Sequence, residues 1–263
     1  MLTIDVHAHA FPDAIAERAI SELERQAPIP AVGAGTVDAL LASMDAAGVD
    51  AAVVCTIATK PEQTESILRW CEKARSERII PFASVHPDAP EADGWIGRIA
   101  DAGIRGIKLH AFYQDFHIDE PRMGGIYAAA ERHGLIVQFH CGEDFSFPLD
   151  DRAGARRVAR VLDEHPGLQV IAAHMGGWRM WEGAVRHLMG RAVYLETSFS
   201  LADLGADRAA EMICRHGADR VLFGTDWPWS RHEEDVARLA GLPISESQRR
   251  RIRGSNAKAL LRL

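Results

Sequence analysis

The chain has 263 residues, of which 47% are hydrophobic and 25% charged, with a formal net charge of −7 and a sequence pI near 5.9. This acidic balance disfavours a nucleic acid or an anionic membrane as a partner. The four cysteines form no Cys-x-x-Cys pair, which disfavours a disulfide framework. No apolar run reaches the length of a membrane span, and the first residues lack the apolar core of a signal peptide, so we expect a cytoplasmic protein.

Strands and helices alternate along the whole chain in the predicted secondary structure. A first strand over 3–10 is followed by a helical excursion at about 11–35, and a helix then begins after the N-cap Thr36 and ends at Gly48. Further strands are predicted at 51–57, 79–86, 106–110, 135–140, 169–174, 193–197 and 220–223. Helices are predicted between and after them, at 61–77, 91–102, about 124–133, 151–165, 178–189, 203–216 and 232–239.

Eight strands, each followed by a helix, predict an α/β fold with a parallel sheet covered by helices. In a chain of this length the pattern favours a closed (β/α)₈ TIM barrel that forms a single domain over 1–263. The alternative is an open, doubly wound sheet. It is disfavoured because His-Ala-His follows the first strand, where such folds carry a Gly-x-Gly-x-x-Gly turn.

Eleven of the twelve histidines fall into two groups, and His117, in a predicted loop, is assigned to neither. Those of the first group belong to helices: His133, His165 and His216 stand at predicted helix ends, where an imidazole can cap free carbonyl groups. His187 and His232 are expected on exposed helix surfaces. We assign these five residues to structure rather than to chemistry.

The second group stands at the carboxyl ends of predicted strands, where a barrel of this kind builds its active site. Its members are His7, His9, His86, His110, His140 and His174, together with Lys108 and Asp226. Buried polar groups need partners, and this many at one end of a barrel would cost stability without a metal or a substrate. The sequence therefore predicts a site at the mouth of the barrel.

The sequence segments around these residues resemble those of the amidohydrolase superfamily, and most closely those of its amidohydrolase-2 branch. The segments that carry the resemblance are IDVHAHAFP, GIKLHAFYQDF, VQFHCG, VIAAHMGG and VLFGTDWPWS, with RRIRGSNAKALLRL at the end of the chain. They are distributed over essentially the whole chain. They are specific for the superfamily but not for a substrate.

The resemblance implies that His7, His9, His140 and Asp226 bind one divalent metal ion, most often zinc. His174 would orient or deprotonate the water on that ion, and Asp226 would take part in moving protons. Three imidazoles and one carboxylate also suit zinc chemically, since such a set leaves an open position for water. We therefore expect His174 and Asp226 to be the catalytic residues.

Lys108 has two interpretations within this resemblance. It is either a cation that faces the substrate together with His110, or a carboxylated lysine that bridges a second metal ion held by His140 and His174. We favour the single metal ion, because the sequence around Lys108 resembles that of the amidohydrolase-2 branch.

Several loop residues are candidates for the pocket wall. They are His86, Phe145, Trp178 and Trp227, since aromatic side chains near strand ends can enclose a planar substrate. Arg179 or Arg231 could hold a substrate carboxylate. Glu143 and Asp144 either contact the site residues from behind or belong to a solvated loop, and we favour the loop.

The function favoured at this point is a metal-dependent hydrolase that acts on a small lactone, amide or cyclic ester through a metal-activated water. The first alternative is a non-oxidative decarboxylase of an aromatic or enol carboxylic acid, which would use the same ligands and a cation for the leaving carboxylate. The second is a barrel that binds ligands without catalysis. In each case the expected partner is a small molecule, and assembly into a homo-oligomer is compatible with the sequence.

Overall fold

The structure is a computed structural model and describes residues 2–27 and 29–263. Its eight strands are β1 Ile4–Ala8, β2 Ala51–Cys55, β3 Ile79–Phe82, β4 Gly106–Leu109, β5 Ile136–Phe139, β6 Gln169–Ala172, β7 Tyr194–Glu196 and β8 Val221–Leu222. All pairings are parallel, in the orders β1-β2-β3 and β4-β5-β6-β7-β8. Each strand follows the one before it in space, as in a barrel.

Backbone hydrogen bonds join the two groups of strands into a closed ring. Lys108 N donates to Ala83 O at 2.8 Å, which connects the end of β3 to β4. Val6 N donates to Phe223 O at 2.9 Å, which connects β8 back to β1. The predicted (β/α)₈ TIM barrel is therefore confirmed.

The helices surround this barrel and also close its amino-terminal end. They are α1 Asp13–Gln26, α2 Val37–Ala47, α3 Thr64–Ala74, α4 Ala92–Asp101, α5 Gly124–His133, α6 Ala155–Glu164, α7 Trp181–His187, α8 Leu201–Leu204, α9 Ala206–His216, α10 His232–Ala240, α11 Glu246–Arg250 and α12 Asn256–Leu260. Among the residues described, no helix has both the length and the apolar character that crossing a bilayer requires.

The helix boundaries follow from local chemistry where the sequence shows a cap. The Thr36 hydroxyl accepts a hydrogen bond from Ala39 N, which satisfies one free donor at the start of α2. Gly48 ends the same helix with φ 65°, a conformation that costs glycine little. Several other helices are shorter than predicted: α7, for example, begins at Trp181 rather than near 178.

The strands have two distinct faces. Ile107 and Leu109 of β4 pack outward under the helices, whereas Lys108 between them is fully buried on the inner side. The inner apolar layer, which includes Ile4 and Phe82, packs against α12 at the amino-terminal end of the barrel. The carboxyl ends of the strands are therefore the end that remains open for a site.

Candidate active site

One large cavity of about 1030 Å³ lies at the carboxyl ends of the strands. Most of the predicted site residues line it: His7, His9, Lys108, His110, His140, His174 and Asp226, with Phe145 and Trp178. The structure thus brings together seven side chains from five strand ends that lie far apart in the sequence. Their common location is what the strand-end argument predicted.

Local backbone conformations direct two of these side chains and a neighbouring aromatic residue. His174, Phe199 and Asp226 have φ values of 57°, 55° and 67°, and all three line the cavity. Non-glycine residues adopt this left-handed region uncommonly, and such positions concentrate at functional sites. In β6, Ile171 faces the barrel interior, so His174 would face outward by strand alternation; the left-handed turn returns it to the mouth.

Three metal-ligating side chains lie within reach of one ion: His7, His9 and Asp226, whose donor atoms are all within 4.8 Å of one another. His9 Nε2 lies 3.0 Å from Asp226 Oδ1, and His7 Nε2 lies 3.4 Å from the same oxygen. Ligand atoms about 2.1 Å from a tetrahedral ion are about 3.4 Å apart, so these spacings suit a shared metal ion.

The hydrogen bonds on the far side of each ring show which nitrogen carries the proton. His9 Nδ1 is 2.9 Å from the carbonyl oxygen of Cys55, which can only accept, so this nitrogen donates. His7 Nδ1 likewise donates to the Glu196 carboxylate at 2.9 Å. In the neutral rings, both Nε2 atoms then carry lone pairs, as metal ligands require.

Asp226 provides an independent test of the metal site. Its Oδ1 is buried and has no hydrogen-bond partner among the residues described, although His9 Nε2 is close by. A carboxylate oxygen facing an imidazole lone pair is repulsive unless a cation lies near both atoms. The donor set therefore fits a divalent metal ion.

His140 and His174 form a second close contact next to this cluster. His174 Nδ1 lies 3.1 Å from Ser198 O, and His140 Nε2 lies 3.0 Å from Glu143 O, so both of these nitrogens donate. The remaining nitrogens, His140 Nδ1 and His174 Nε2, face each other at 3.1 Å. Again two lone pairs oppose each other, which indicates that a proton or a cation belongs between or beside them.

Lys108 is fully buried and donates through Nζ to His7 Nε2 at 2.9 Å. Its ammonium group therefore lies against the same lone pair that a metal ion would use. A buried cation without a carboxylate hydrogen bond is costly, so Lys108 is poised to interact with an anionic ligand.

Burial sets the protonation states in this site. Burial, assisted by the Lys108 charge, lowers the pKa of His7 to about 4, and burial also holds the pKa of His140 well below its ordinary value. Burial alone would raise the pKa of Asp226, but neighbouring His7 and His9 hold it well below its ordinary value. At neutral pH His7 and His140 are accordingly neutral and Asp226 is ionised.

Glu196 is a functional residue that the sequence reasoning missed. It is fully buried at the end of β7 and accepts hydrogen bonds from His7 Nδ1, from His174 N and from the backbone and hydroxyl groups of Ser198. Burial opposes its ionisation, yet His7 and Ser198 lower its pKa to about 2. One signal was available, since a single glutamate inside the apolar strand 193–197 has to face a buried partner.

His110 and Asp144 form a pair on the other side of His140. His110 Nε2 lies 3.3 Å from Asp144 Oδ2, and the His110 ring stacks on that of His140 with centroids 4.1 Å apart. His110 Nδ1 is buried without a hydrogen-bond partner among the described residues. The interpretation of Asp144 as a solvated loop residue is therefore wrong, because this side chain is mostly enclosed beside His110.

Two residues expected at the pocket wall do not line the cavity. His86 lies beyond β3, which ends at Phe82 rather than near 86, and its Nδ1 accepts from Asp88 N at 3.1 Å. Trp227 is buried in the core near Gly33, where it fills space instead of facing the substrate. Strand length and side-chain direction, which the pattern alone did not resolve, decide both cases.

Three further expectations also need correction. Arg179 stacks over Trp178 and Phe145 from outside, and Arg231 is exposed beside Glu234, so neither arginine lines the cavity. His232 is fully buried rather than exposed. It lies 3.1 Å from the buried carboxylate of Asp5, and this contact ties α10 to β1 below the site.

Aromatic side chains form one wall of the cavity. Phe112 stacks on Phe147 with ring centroids 5.4 Å apart, and Tyr113 meets Phe147 edge to face at 5.0 Å. Phe145 packs against Trp178 on the same side. Such a wall suits a planar, apolar ligand body, while the charged groups lie at the deep end.

The fold and the arrangement of these side chains are those of a barrel enzyme, with candidate metal ligands at the ends of its first and last strands. Comparison with known proteins gives the family. The amidohydrolase family model matches residues 4–263. The chain therefore belongs to the amidohydrolase family, as its motifs predicted.

Individual relatives share both sequence and fold with the chain. Gamma-resorcylate decarboxylase of Rhizobium sp. (strain MTP-10005) is 24% identical over 241 residues, which cover 73% of this chain and 72% of that protein. A structure of 2,6-dihydroxybenzoate decarboxylase complexed with 2,6-dihydroxybenzoate is 20% identical, with a TM-score of 0.74 and 100% of each chain covered. A 5-carboxyvanillate decarboxylase from Novosphingobium aromaticivorans, with bound manganese, has a TM-score of 0.72 and 17% identity, covering 100% of this chain and 97% of that one.

These comparisons overturn the first functional expectation. The curated relatives and the named structural neighbours are decarboxylases of aromatic acids, so the expected hydrolysis of a lactone, amide or cyclic ester is wrong. The physical reason is that a barrel-mouth metal site can serve either reaction. The ligands alone do not distinguish attack on a carbonyl from loss of CO₂.

Proposed function

We propose that the protein is a metal-dependent, non-oxidative decarboxylase of a hydroxy-substituted aromatic carboxylic acid. The observation that carries the proposal is the buried Lys108 ammonium group beside a carboxylate-and-imidazole metal site, in a cavity with an aromatic wall. A cation at that position can hold a carboxylate, and the aromatic wall can hold the ring to which the carboxylate is attached. The names of the relatives support this reaction over others.

One divalent ion, held by His7, His9 and Asp226 with His140 as the proposed fourth ligand, would supply a Lewis acid for the substrate oxygens. Its identity as zinc stays a prediction, and manganese is an equal candidate because a structural neighbour binds it. The alternative of a second ion bridged by carboxylated Lys108 is distinguished by the ratio of metal to protein, measured with and without bicarbonate.

The reaction replaces the carboxylate on a ring carbon by a proton and releases CO₂. Asp226 and His174 are the proposed groups for holding and moving that proton, since both line the cavity next to the metal cluster. Glu196 positions both histidines of this part of the site, through His7 Nδ1 and the backbone nitrogen of His174. A proton delivered to the ring carbon balances the loss of the carboxyl group.

His110 is the proposed recognition group for a ring hydroxyl. With its Nε2 directed towards ionised Asp144, its unpartnered Nδ1 is left as an acceptor. A phenolic hydroxyl that donates to this nitrogen would satisfy a buried polar atom that otherwise costs stability. This role favours hydroxybenzoates over benzoate itself.

The test uses the purified protein loaded in turn with Mn²⁺ and Zn²⁺, and a panel of benzoates with and without ring hydroxyl groups. We expect CO₂ release from hydroxybenzoates, with one deuteron placed at the former carboxyl-bearing carbon when the reaction runs in D₂O. A folded, metal-loaded protein that decarboxylates no member of the panel would contradict the proposal and would favour the binding barrel.

The variant Lys108→Met separates the proposed cation from simple packing. It keeps most of the length of the unbranched side chain and removes its charge, so we expect kcat/KM to fall roughly 100-fold, because a charged hydrogen bond to the carboxylate is lost. Lys60→Met, on the exposed surface, is the matched control and should leave kcat/KM unchanged.

A further inference from the structure

The cavity is larger than the reaction at its deep end requires. Its volume of about 1030 Å³ lies at the upper limit for pockets that enclose drug-sized ligands. A single aromatic ring with a carboxyl group and hydroxyl groups is far smaller than such a ligand. The remaining space extends away from the candidate metal ligands His7, His9 and Asp226, between α1 and α3.

This extension has two facing helical walls. Ile15, Ala19 and Leu23 form a stripe at intervals of four residues on α1, and Ile67 and Trp70 face them from α3. We call these five residues the apolar arm. Their side chains are half-buried or exposed, so they leave open apolar surface inside a continuous cavity.

The core does not need this stripe of α1. The buried residues of this helix are a different pair, Ala16 and Ile20, and Ile20 lies next to Gly35. Ile15 is 38% exposed and faces the cavity. The stripe of α1 is therefore apolar surface open to a ligand, whereas Ile67 and Trp70 of α3 also pack against the core.

Charge restricts what the arm can hold. Among the described residues that line the cavity, Lys108 is the one lysine or arginine, and it lies at the deep end. Glu22 lines the arm with its carboxylate already paired with Arg25, so a new anionic group there would lose its hydration without gaining a cationic partner among the lining residues described. A phosphate or a second carboxylate is disfavoured in the arm, whereas an uncharged hydrocarbon group is favoured.

We propose that the substrate is a hydroxy-aromatic acid with an extended apolar substituent, an alkyl chain or a second ring, that lies in the apolar arm between α1 and α3. The proposal rests on the proposed decarboxylation and specifies its substrate class. The carboxylate would lie beside Lys108 at the deep end. The substituent would leave the ring towards Thr56 and Ile57, which line the passage at the end of β2.

The test is a series of 2,6-dihydroxybenzoates that carry hydrogen, methyl, propyl or pentyl opposite the carboxylate. We expect kcat/KM to rise about threefold for each methylene group that becomes buried, and at least about tenfold from methyl to pentyl. A terminal carboxylate on the pentyl chain should remove this gain. A flat dependence on chain length would overturn the proposal.

Two matched variants locate the effect. Ala19→Trp fills the arm and should abolish the gain from longer chains, measured as the ratio of kcat/KM for the pentyl acid to that for the methyl acid. Ala14→Trp places the same side chain on an exposed part of α1 that does not line the cavity, and the gain should persist. A gain that survives Ala19→Trp would also overturn the proposal.

The experiments distinguish an error in the proposed role of the apolar arm from an error in the proposed decarboxylation. If the unsubstituted acid is decarboxylated but chain length has no effect, the proposed role of the apolar arm is contradicted and the proposed decarboxylation is supported. If no acid is decarboxylated, calorimetric titration of the same acids into the metal-loaded protein still tests whether the apolar arm binds the substituent. Binding that tightens with chain length, and loses this trend in Ala19→Trp, supports the arm; binding independent of chain length overturns it.

Discussion

At the barrel mouth, the position of the proton on each of two histidine rings is set by the hydrogen-bond acceptor next to Nδ1. His7 and His9 would each be ambiguous in isolation, since a neutral imidazole can carry its proton on either nitrogen. Glu196 and the Cys55 carbonyl settle this question, because both accept hydrogen bonds from Nδ1. The nitrogens that face the cavity are thereby prepared as ligands before any ion binds.

Asp226 is the residue on which the site depends most strongly. In Asp226→Asn the carboxylate is replaced by a neutral amide that neither balances a cation nor carries a proton. We expect turnover to fall by about 10³-fold or more, with the fold intact. Turnover, bound metal per chain and melting temperature should be measured together, with Asp207→Asn on the exposed surface of α9 as control. Retained turnover would count against the proposed proton transfer.

Glu196 acts through His7 rather than on the substrate. Glu196→Gln removes the charge that fixes the His7 Nδ1 proton, so we expect affinity for the metal ion to fall by about 10–100-fold. Chelator competition measures this directly. Ser198→Ala, which removes one hydrogen bond to the same carboxylate, should have a smaller effect. Equal affinity in Glu196→Gln and the parent protein would contradict the positioning role.

At the scale of elements, irregular backbone rather than regular strand delivers two of the histidines. The register of β1 against β2 shifts between Asp5 and Ala8, so His7 faces the cavity although Ile4 and Val6 also face inward. A β-bulge of this kind commonly redirects a side chain next to an active site. The left-handed conformation of His174 has the same consequence at the end of β6.

The loops after β5 and β6 are joined where the aromatic wall begins. Glu143 N donates to Trp178 O at 3.0 Å, and Trp178 N donates to Cys141 O at 2.9 Å. Gly142 lies between these bonds with φ 97°, and a Cβ atom there would be 2.1 Å from Trp178 N. Glycine is therefore required for the close approach of the two loops.

Gly142→Ala should force these loops apart. We expect a loss of stability on the order of 3 kcal/mol together with a reduced kcat/KM, since Trp178 lines the cavity. Gly190→Ala is the matched control, because Gly190 also has a left-handed φ of 76° but a Cβ atom there meets nothing within 4 Å. Urea denaturation of both variants measures the difference. Similar losses would mean that backbone conformation alone, and not the contact with Trp178, explains the glycine.

For the whole molecule, buried histidines make stability depend on pH. The pKa of His7 is about 4 in the folded chain, against an ordinary value of 6.5. Between these values the unfolded chain binds a proton that the folded chain does not, so stability falls as the pH is lowered through this range. His110 and His140, whose pKa values are also lowered, act in the same direction. Asp235, with its pKa raised to about 6 by burial, opposes them.

We therefore expect the metal-free protein to lose on the order of 3 kcal/mol of stability between pH 6.5 and pH 4. Urea denaturation in the presence of a chelator measures this change. A divalent metal at about 100 times its dissociation constant should add roughly 3 kcal/mol at neutral pH, because it binds the folded state alone. A free energy of unfolding that stays constant on acidification would contradict the neutral, buried state of these imidazoles.

The sequence by itself determined the order of the elements, the closed barrel and the end of the barrel at which the site lies. These follow from local pattern: apolar strands alternate with capped helices, and polar residues recur where strands end. His7, His9 and Asp226 belonged to that pattern, and so they could be found without a structure.

Only the tertiary structure showed which residues that are distant in sequence contact one another across the barrel. Glu196 meets His7 over 189 positions of sequence, Asp144 meets His110, and Trp227 turns into the core, and strand pattern contains no information on such pairs. The arm between α1 and α3 is likewise defined by two helices that face each other only after the barrel closes. His7 and His9 at the end of the first strand therefore indicated where the candidate metal site lies, whereas packing of distant elements set the size and charge of the space beside it.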